Sequence, residues 1–439
     1  MYQLSYDAGG FPFSGAQIVS PVSSPHEVSV AELRRVGAAR FSSRTRLPPL
    51  WTLVIAGSFC GYFAMLVYCD LVRPVNPGFR ARAVGPHAVV LTEIRPGTPA
   101  AEAGLLVGDH LIAINGLTIV NSDYWGAISA NYEIGVPMPV IVDRLGTRIT
   151  MPLLLRQQTA DYWLDRPGAA LLLMRVAQLV CLLAGIMVAF RRPTDADALA
   201  ASWFLMTCAV FLIALPPRLA IIWRELPFPI RELFWIPHAS SITIGPILLT
   251  FVTLFPRRLP TAGYIQTAAW TLAGATMALP LYHTIQLVYN GSALRTIGPR
   301  SLPLLVVFGV SLGAAVLLIL NYRRLADINE RRRLRVVVAG ITIAGLPGFS
   351  ALGYFWITGG TNQASGIFES PWMVIVAVAL LAAPLSITYA VLRHRLFDLS
   401  FTVRNRIRHR CARWFVSSIG EILFVIIVLE TLRLHDHTV

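Results

Sequence analysis

Two short patterns contain residue types that could support hydrolysis, and each lacks part of what that chemistry needs. A helical zinc-hydrolase motif requires two His four residues apart, with a Glu after the first. The His26-Glu27 pair has Val30 in place of the second His. A serine hydrolase requires a Gly-x-Ser-Gly turn and a His/Asp pair, and Ser292 lacks the following Gly. We therefore predict no catalytic residue, metal site or cofactor, and we do not expect an enzyme.

Three further polar residues fall in or beside apolar segments. His238 and His283 lie near the same ends of two such segments, so their imidazoles could meet at a membrane face and sense pH or bind a metal ion. A local hydrogen bond is the alternative for each. Arg175 lies inside another apolar segment, and we expect its side chain to extend outward to a polar surface rather than line a transport pathway.

The composition is typical of a membrane protein. Hydrophobic residues make up 55% of the 439 residues and charged residues only 14%, a balance that a soluble domain does not have. All 37 basic residues are arginines, and most flank apolar segments. The net charge of +14 therefore indicates loops held at a membrane surface, and we predict no nucleic-acid partner.

The apolar segments predict a polytopic α-helical membrane protein of about eight transmembrane helices with an inserted β-rich domain. The domain boundaries are a disordered basic cytoplasmic tail over 1–47, transmembrane helix 1 over 50–70, the β-rich domain over 75–157, a seven-helix bundle over 168–392, and a basic cytoplasmic exit segment with an apolar helix over 393–439. The seven helices are predicted near 168–190, 198–215, 234–255, 265–288, 303–322, 336–358 and 373–392. Whether 414–432 forms a ninth span is left open.

The distribution of arginine predicts the orientation of the chain. Arginine-rich connections alternate with poorer ones, and positive charge is retained on the cytoplasmic side. The N-terminus is then cytoplasmic and residues 75–157 lie outside. The chain is expected to cross the membrane several times.

Turn-forming residues divide the inserted domain into short elements. Pro96-Gly97 ends a strand rich in β-branched residues, and Gly104 suits the end of a short Ala-rich helix. Asn115-Gly116 suits a tight hairpin, because both positions need positive φ. The runs 96–105 and 107–116, with these turns, resemble the core of a PDZ domain.

That resemblance implies a peptide-binding groove. In PDZ domains a peptide or protein C-terminus adds as a strand beside a sheet edge and a helix, and a Gly-containing loop holds its carboxylate with backbone N–H groups. The matching peptide-binding positions are Gly78, Phe79, Arg80, Ala81, Arg82, Tyr124, Ala127 and Ile128. A folded spacer that binds no ligand is the alternative.

A second resemblance concerns the segment that leaves the predicted bundle. Residues 389–399, with the core Arg393-His394-Arg395-Leu396-Phe397-Asp398, resemble the exit segment of multi-span bacterial sensor histidine kinases. That resemblance implies the inner membrane of a bacterial cell as the location. Because the residues that follow leave no room for a kinase domain, we expect either that the chain is truncated relative to such sensors or that its output is a separate chain.

Together these features predict a membrane sensor or signalling scaffold. Its external PDZ-like domain would bind peptide or protein ends and relay binding through the seven-helix bundle to a cytoplasmic signalling partner such as a kinase. The lipid bilayer is a further partner, and a homodimer is conceivable. The alternative function is a non-catalytic regulatory partner, or a degenerate relative, of a membrane protease.

Overall fold

The structure is a computed structural model. It describes residues 49–346 and 378–393, with gaps at 85–88, 120–124, 192, 194, 213–214, 256–257, 292–300, 326–330, 332–333 and 380–381. The predicted tail over 1–47 lies outside the described residues, as does nearly all of the predicted exit segment over 393–439. The described chain starts with helix α1, Leu50–Leu71, which leads into the β-rich domain.

The β-rich domain is one antiparallel sheet with two short helices. Its elements are β1 Phe79–Ala83, β2 Val89–Ile94, α2 Pro99–Glu102, β3 His110–Ile114, β4 Leu117–Thr118, α3 Trp125–Ala130, β5 Pro137–Arg144 and β6 Thr147–Leu154. The strand order is β1-β2-β3-β5-β6, and β4 pairs with β3 outside this path. The inward-facing apolar side chains of the strands form one core, which includes Leu91, Ile114, Val140 and Leu153.

The turn residues act as the sequence predicts. Asn115 and Gly116 both have positive φ, 47° and 75°, and they join β3 to β4. Leu145 and Gly146 also have positive φ and close the long hairpin of β5 and β6. These mirror-image turns match the right-handed twist of the strands they connect. Gly104, with a φ of 81°, follows α2 as predicted.

A neck of two paired chain segments connects the β-rich domain to the helices before and after it. The Val75 N–H donates to the Arg156 carbonyl and the Gln158 N–H donates to the Arg73 carbonyl, both at 2.8 Å. The Arg73 guanidinium also donates to the Tyr162 hydroxyl at 2.7 Å. The segments that enter and leave the domain are therefore held side by side.

The remaining described residues are mostly helical. The helices are α4 Arg166–Arg191, α5 Ala196–Val210, α6 Leu219–Arg224, α7 Ile230–Leu233, α8 Trp235–Ile242, α9 Ile244–Leu254, α10 Ala262–Asn290, α11 Ser301–Arg324, α12 Leu334–Leu346 and α13 Ala382–Arg393. Their apolar faces and that of α1 pack into a second core, separate from the core of the sheet.

Among the described residues, three helices are long and apolar enough to cross a membrane: Leu50–Leu71, Arg166–Arg191 and Leu305–Arg324. A fourth span results if Ile230–Ile242 and Ile244–Leu254, which meet at a bend of 70°, count as one. The described residues therefore support three or four spans and do not support the predicted count of about eight. Helix α5 is too short to count as a span, because it has only 15 residues. The continuous helix α10 is long enough, but polar side chains such as Gln266 and His283 lower its hydropathy.

Candidate peptide-binding groove

Strand β1 forms one edge of the sheet, and its side chains alternate between two environments. Phe79 and Ala81 are 1% and 2% exposed and belong to the domain core. Arg80 and Arg82 are exposed on the opposite face, as the two-residue period of a strand requires. Within the described sheet β1 pairs only with β2, so its other edge can accept a further strand.

The loop that precedes β1 is held in one conformation. Gly78 has a φ of 84°, and a Cβ at this position would overlap the Thr98 side chain. The Gly78 carbonyl accepts from the Arg95 N–H at 2.8 Å. The Gly78 N–H donates to Asn76 Oδ1 at 2.9 Å. A peptide carboxylate that uses this N–H must therefore displace Asn76 Oδ1, and bulky side chains at 78 or 79 would disturb the fold itself.

Helix α3 places the other predicted groove residues in different surroundings. The Ile128 side chain is buried in the same core as Phe79 and Ala81. Ala127 instead packs against the core of the helical bundle. Tyr124, also predicted to line the groove, lies outside the described residues. The structure thus places Ile128 in the same core as the inner face of β1, whereas Ala127 faces the bundle.

The bundle-facing side of α3 is attached to α6 by polar contacts. The Arg218 N–H donates to the Ser129 carbonyl at 2.9 Å, and Arg224 Nη2 donates to Asn131 Oδ1 at 3.3 Å. Asn131 Nδ2 in turn donates to the Ala127 carbonyl at 3.1 Å. Asn131 and Arg224 are 93 residues apart and were not predicted from the sequence, because no local motif contains both.

Arg224 also binds the end of a long helix. Its Nε donates to the Val288 carbonyl at 2.7 Å, and Nη2 donates to the Leu287 carbonyl at 3.0 Å. These carbonyls belong to the last turn of α10, where a positive charge interacts favourably with the helix dipole and with acceptors that lack intrahelical donors. One guanidinium therefore joins the β-rich domain, α6 and α10.

A buried carboxylate fixes the turn between α2 and β3. Asp109 is 2% exposed. It accepts hydrogen bonds from Arg144 Nε and Nη2, both at 2.8 Å, and from the Leu106 N–H at 2.9 Å. The hydrogen bonds from Arg144 hold the pKa of Asp109 below its usual value, against the opposing effect of desolvation.

The structure gives His238 and Arg175 defined partners, and for Arg175 these differ from the prediction. His238 Nδ1 lies 2.9 Å from the Tyr62 hydroxyl oxygen, and its ring contacts Trp223 and Trp235. This is the local hydrogen bond that the sequence left as the alternative to a His–His site. In the described part of the chain no three His, Cys, Asp or Glu side chains cluster as metal ligands would. Arg175 does not extend outward: it is buried and paired with Asp70.

Comparison with known proteins supports the nature of the β-rich domain. Residues 90–124 match the family model of the PDZ domain. No curated protein matches the chain. The β-rich sheet is thus PDZ-like, and a PDZ domain suggests that it binds protein or peptide.

Proposed function

We propose that the protein is a membrane sensor or signalling scaffold. Its PDZ-like domain binds peptide or protein ends outside the cell, and the helices pass the bound state to a cytoplasmic partner such as a kinase. The position of β1 at one end of the described sheet supports peptide binding, and the apolar helices support the membrane location. The observation that carries the relay is the attachment of α3 to α6.

Helix α6 contacts several other helices as well as α3. The Trp223 ring lies 5.6 Å from the ring of Tyr62 in α1 and 4.4 Å from that of Trp235 in α8, measured between centroids. Arg224, at the end of α6, binds the end of α10. A displacement of α6 therefore changes the packing of three helices at once.

Peptide binding would act on α6 through α3. A peptide added beside β1 occupies the space next to α3, and close-packed elements transmit such displacements instead of absorbing them. The inner side of α3 carries Ile128, and its outer side is held by Arg218 and Arg224. Ligand occupancy and helix packing are thereby coupled.

The relay predicts a selective effect of Asn131→Ala. This substitution removes the contact of Asn131 with Arg224 but leaves β1 intact, so peptide affinity should change by less than about threefold. The measurement is hydrogen exchange of the full chain in lipid nanodiscs, with peptides first selected from a random C-terminal library. Peptide should protect amides of α6 and of the end of α10 in the unmodified protein, and this change should be lost in Asn131→Ala.

Glu133→Ala, two residues further on, is the matched control and should behave like the unmodified protein. An unaltered exchange response in Asn131→Ala would contradict the relay. If no library peptide binds the unmodified protein, the binding proposal itself fails.

Orientation can be tested at the hairpin between β5 and β6. Leu145 is fully exposed, so a membrane-impermeant maleimide should label Leu145→Cys in intact cells, in a background with the native cysteines replaced. Arg324→Cys, at the end of α11, should be labelled only after the membrane is permeabilised. Labelling in the reverse order would place the PDZ-like domain in the cytoplasm and end the receptor proposal.

A further inference from the structure

The outward face of β1 and β2 has an unbalanced charge. Arg80 and Arg82 lie on β1, and Arg95 directly follows β2. Glu93 is the only acidic residue of these two strands. Three arginines and one carboxylate therefore lie beside the edge where a peptide strand would add.

The ion pairs divide these arginines into two kinds. Arg80 Nη1 lies 3.0 Å from Glu93 Oε2, and Arg95 Nε lies 3.6 Å from Glu93 Oε1. Both arginines are thus partly neutralised by the same side chain. Arg82 has no acidic partner among the described residues of the domain, and its side chain is exposed. Of these three arginines, Arg82 is therefore the one most available to a ligand.

We infer that this edge selects extended peptides that carry acidic side chains, with Arg82 as the main specificity-determining residue. The inference rests on the proposed peptide binding at β1. A strand added to an antiparallel edge places its outward side chains about 5 Å from those of the neighbouring strand. An acidic residue opposite Arg82, or two residues away opposite Arg80, then forms a cross-strand ion pair.

The arrangement of the arginines favours a peptide over a charged lipid surface. Arg80 and Arg82 are two residues apart on one face of a strand, which matches the period of an extended chain. Within the described sheet the same strand pairs on one side only, so a peptide can use the charges and the backbone together, whereas a headgroup uses only the charges. Arginines at a sheet edge can also serve simply to prevent edge-to-edge aggregation, and the experiment separates that role.

The test compares peptides that differ only in charge at two alternate positions. One library-selected peptide is synthesised with Glu, Gln or Lys at those positions, and its affinity is measured for the full chain in nanodiscs of zwitterionic lipid. Each exposed ion pair changes affinity by about two- to fivefold, so the Glu peptide should bind roughly tenfold more tightly than the Lys peptide. Raising the salt concentration should reduce this preference.

Arg82→Glu should reverse the preference, and Arg148→Glu, on the exposed part of β6, should leave it unchanged while altering the net charge equally. Equal affinity for the three peptides would overturn the inference and leave peptide binding intact. Absence of binding by all three would contradict the proposed function. Loss of binding to anionic vesicles in Arg82→Glu, with peptide affinities unchanged, would assign this edge to lipid instead.

Discussion

Replacing Arg175 by Met is expected to lower the free energy of unfolding of the helical bundle by about 3–5 kcal/mol. Arg175 Nε donates to Asp70 Oδ2 at 2.6 Å, and both side chains are less than a tenth exposed. Met fills a similar volume but leaves the Asp70 carboxylate buried without a cation. The cost of that uncompensated charge outweighs the packing that Met retains. Denaturant unfolding in detergent micelles measures the loss.

The double variant Asp70→Leu with Arg175→Met is the control for this prediction. Replacing both members of a buried ion pair with apolar residues is often neutral or stabilising, so the double variant should recover most of the lost stability. A loss below about 1 kcal/mol in Arg175→Met alone would show that the pair is hydrated instead of buried. Gln178 Oε1, which accepts from Arg175 Nη1 at 2.8 Å, would be released in both variants and does not separate them.

Asp109→Asn is expected to have the second-largest effect, a loss of about 1.5–3 kcal/mol in the stability of the PDZ-like domain. Asn keeps the shape of the side chain but cannot accept both charged hydrogen bonds from Arg144. The Leu106 N–H also loses a charged acceptor. Urea unfolding, followed through a fluorophore attached to the domain, measures the change. Asp143→Asn, near the end of β5, where the carboxylate accepts a hydrogen bond from the Gly146 N–H, is the matched control and should cost less than half as much.

The same residue predicts a pH dependence with a defined sign. The pKa of Asp109 is lowered in the folded state by the hydrogen bonds from Arg144, whereas the unfolded value is about 3.9. The stabilisation is therefore fully present above about pH 4 and is lost as the pH falls through the folded pKa. Asp109→Asn should lack this part of the acid-induced loss. Parallel stability curves for the two proteins below pH 4 would contradict the assignment.

Local chemistry explains why parts of the fold could be predicted from the sequence. Asn115-Gly116 forms the tight turn that the sequence indicated, because positive φ is required at both of these adjacent residues. Gly104 likewise follows α2 as indicated, with a φ of 81°. Such conformational requirements act within one turn of the chain, so one or two residues are enough to indicate the feature.

Partners far apart in the sequence explain what was missed. Arg175 pairs with Asp70, which is 105 residues away, and its own segment contains no sign of that contact. The Asn131–Arg224 contact likewise joins a domain to a helix bundle. The described residues do not support the predicted count of about eight spans for a related reason: hydropathy records apolar runs, but it does not show where a helix such as α5 stops at Val210.

For the candidate groove, the sequence indicated which strand and helix are involved, but not which of their side chains face outward. Arg80 and Arg82 are exposed on the edge strand, where a ligand can reach them. Phe79 and Ile128 instead serve the core of the domain. A family resemblance locates the strand and the helix, but the direction of each side chain depends on packing that a single motif does not specify.

The paired segments below the PDZ-like domain have a mechanical consequence. Val75 and Gln158 each donate a backbone hydrogen bond to the opposite segment. The two connections to the domain therefore cannot move independently. A force that acts on the domain is transmitted to α1 and α4 together. The entry and exit segments therefore constrain the position of the domain together.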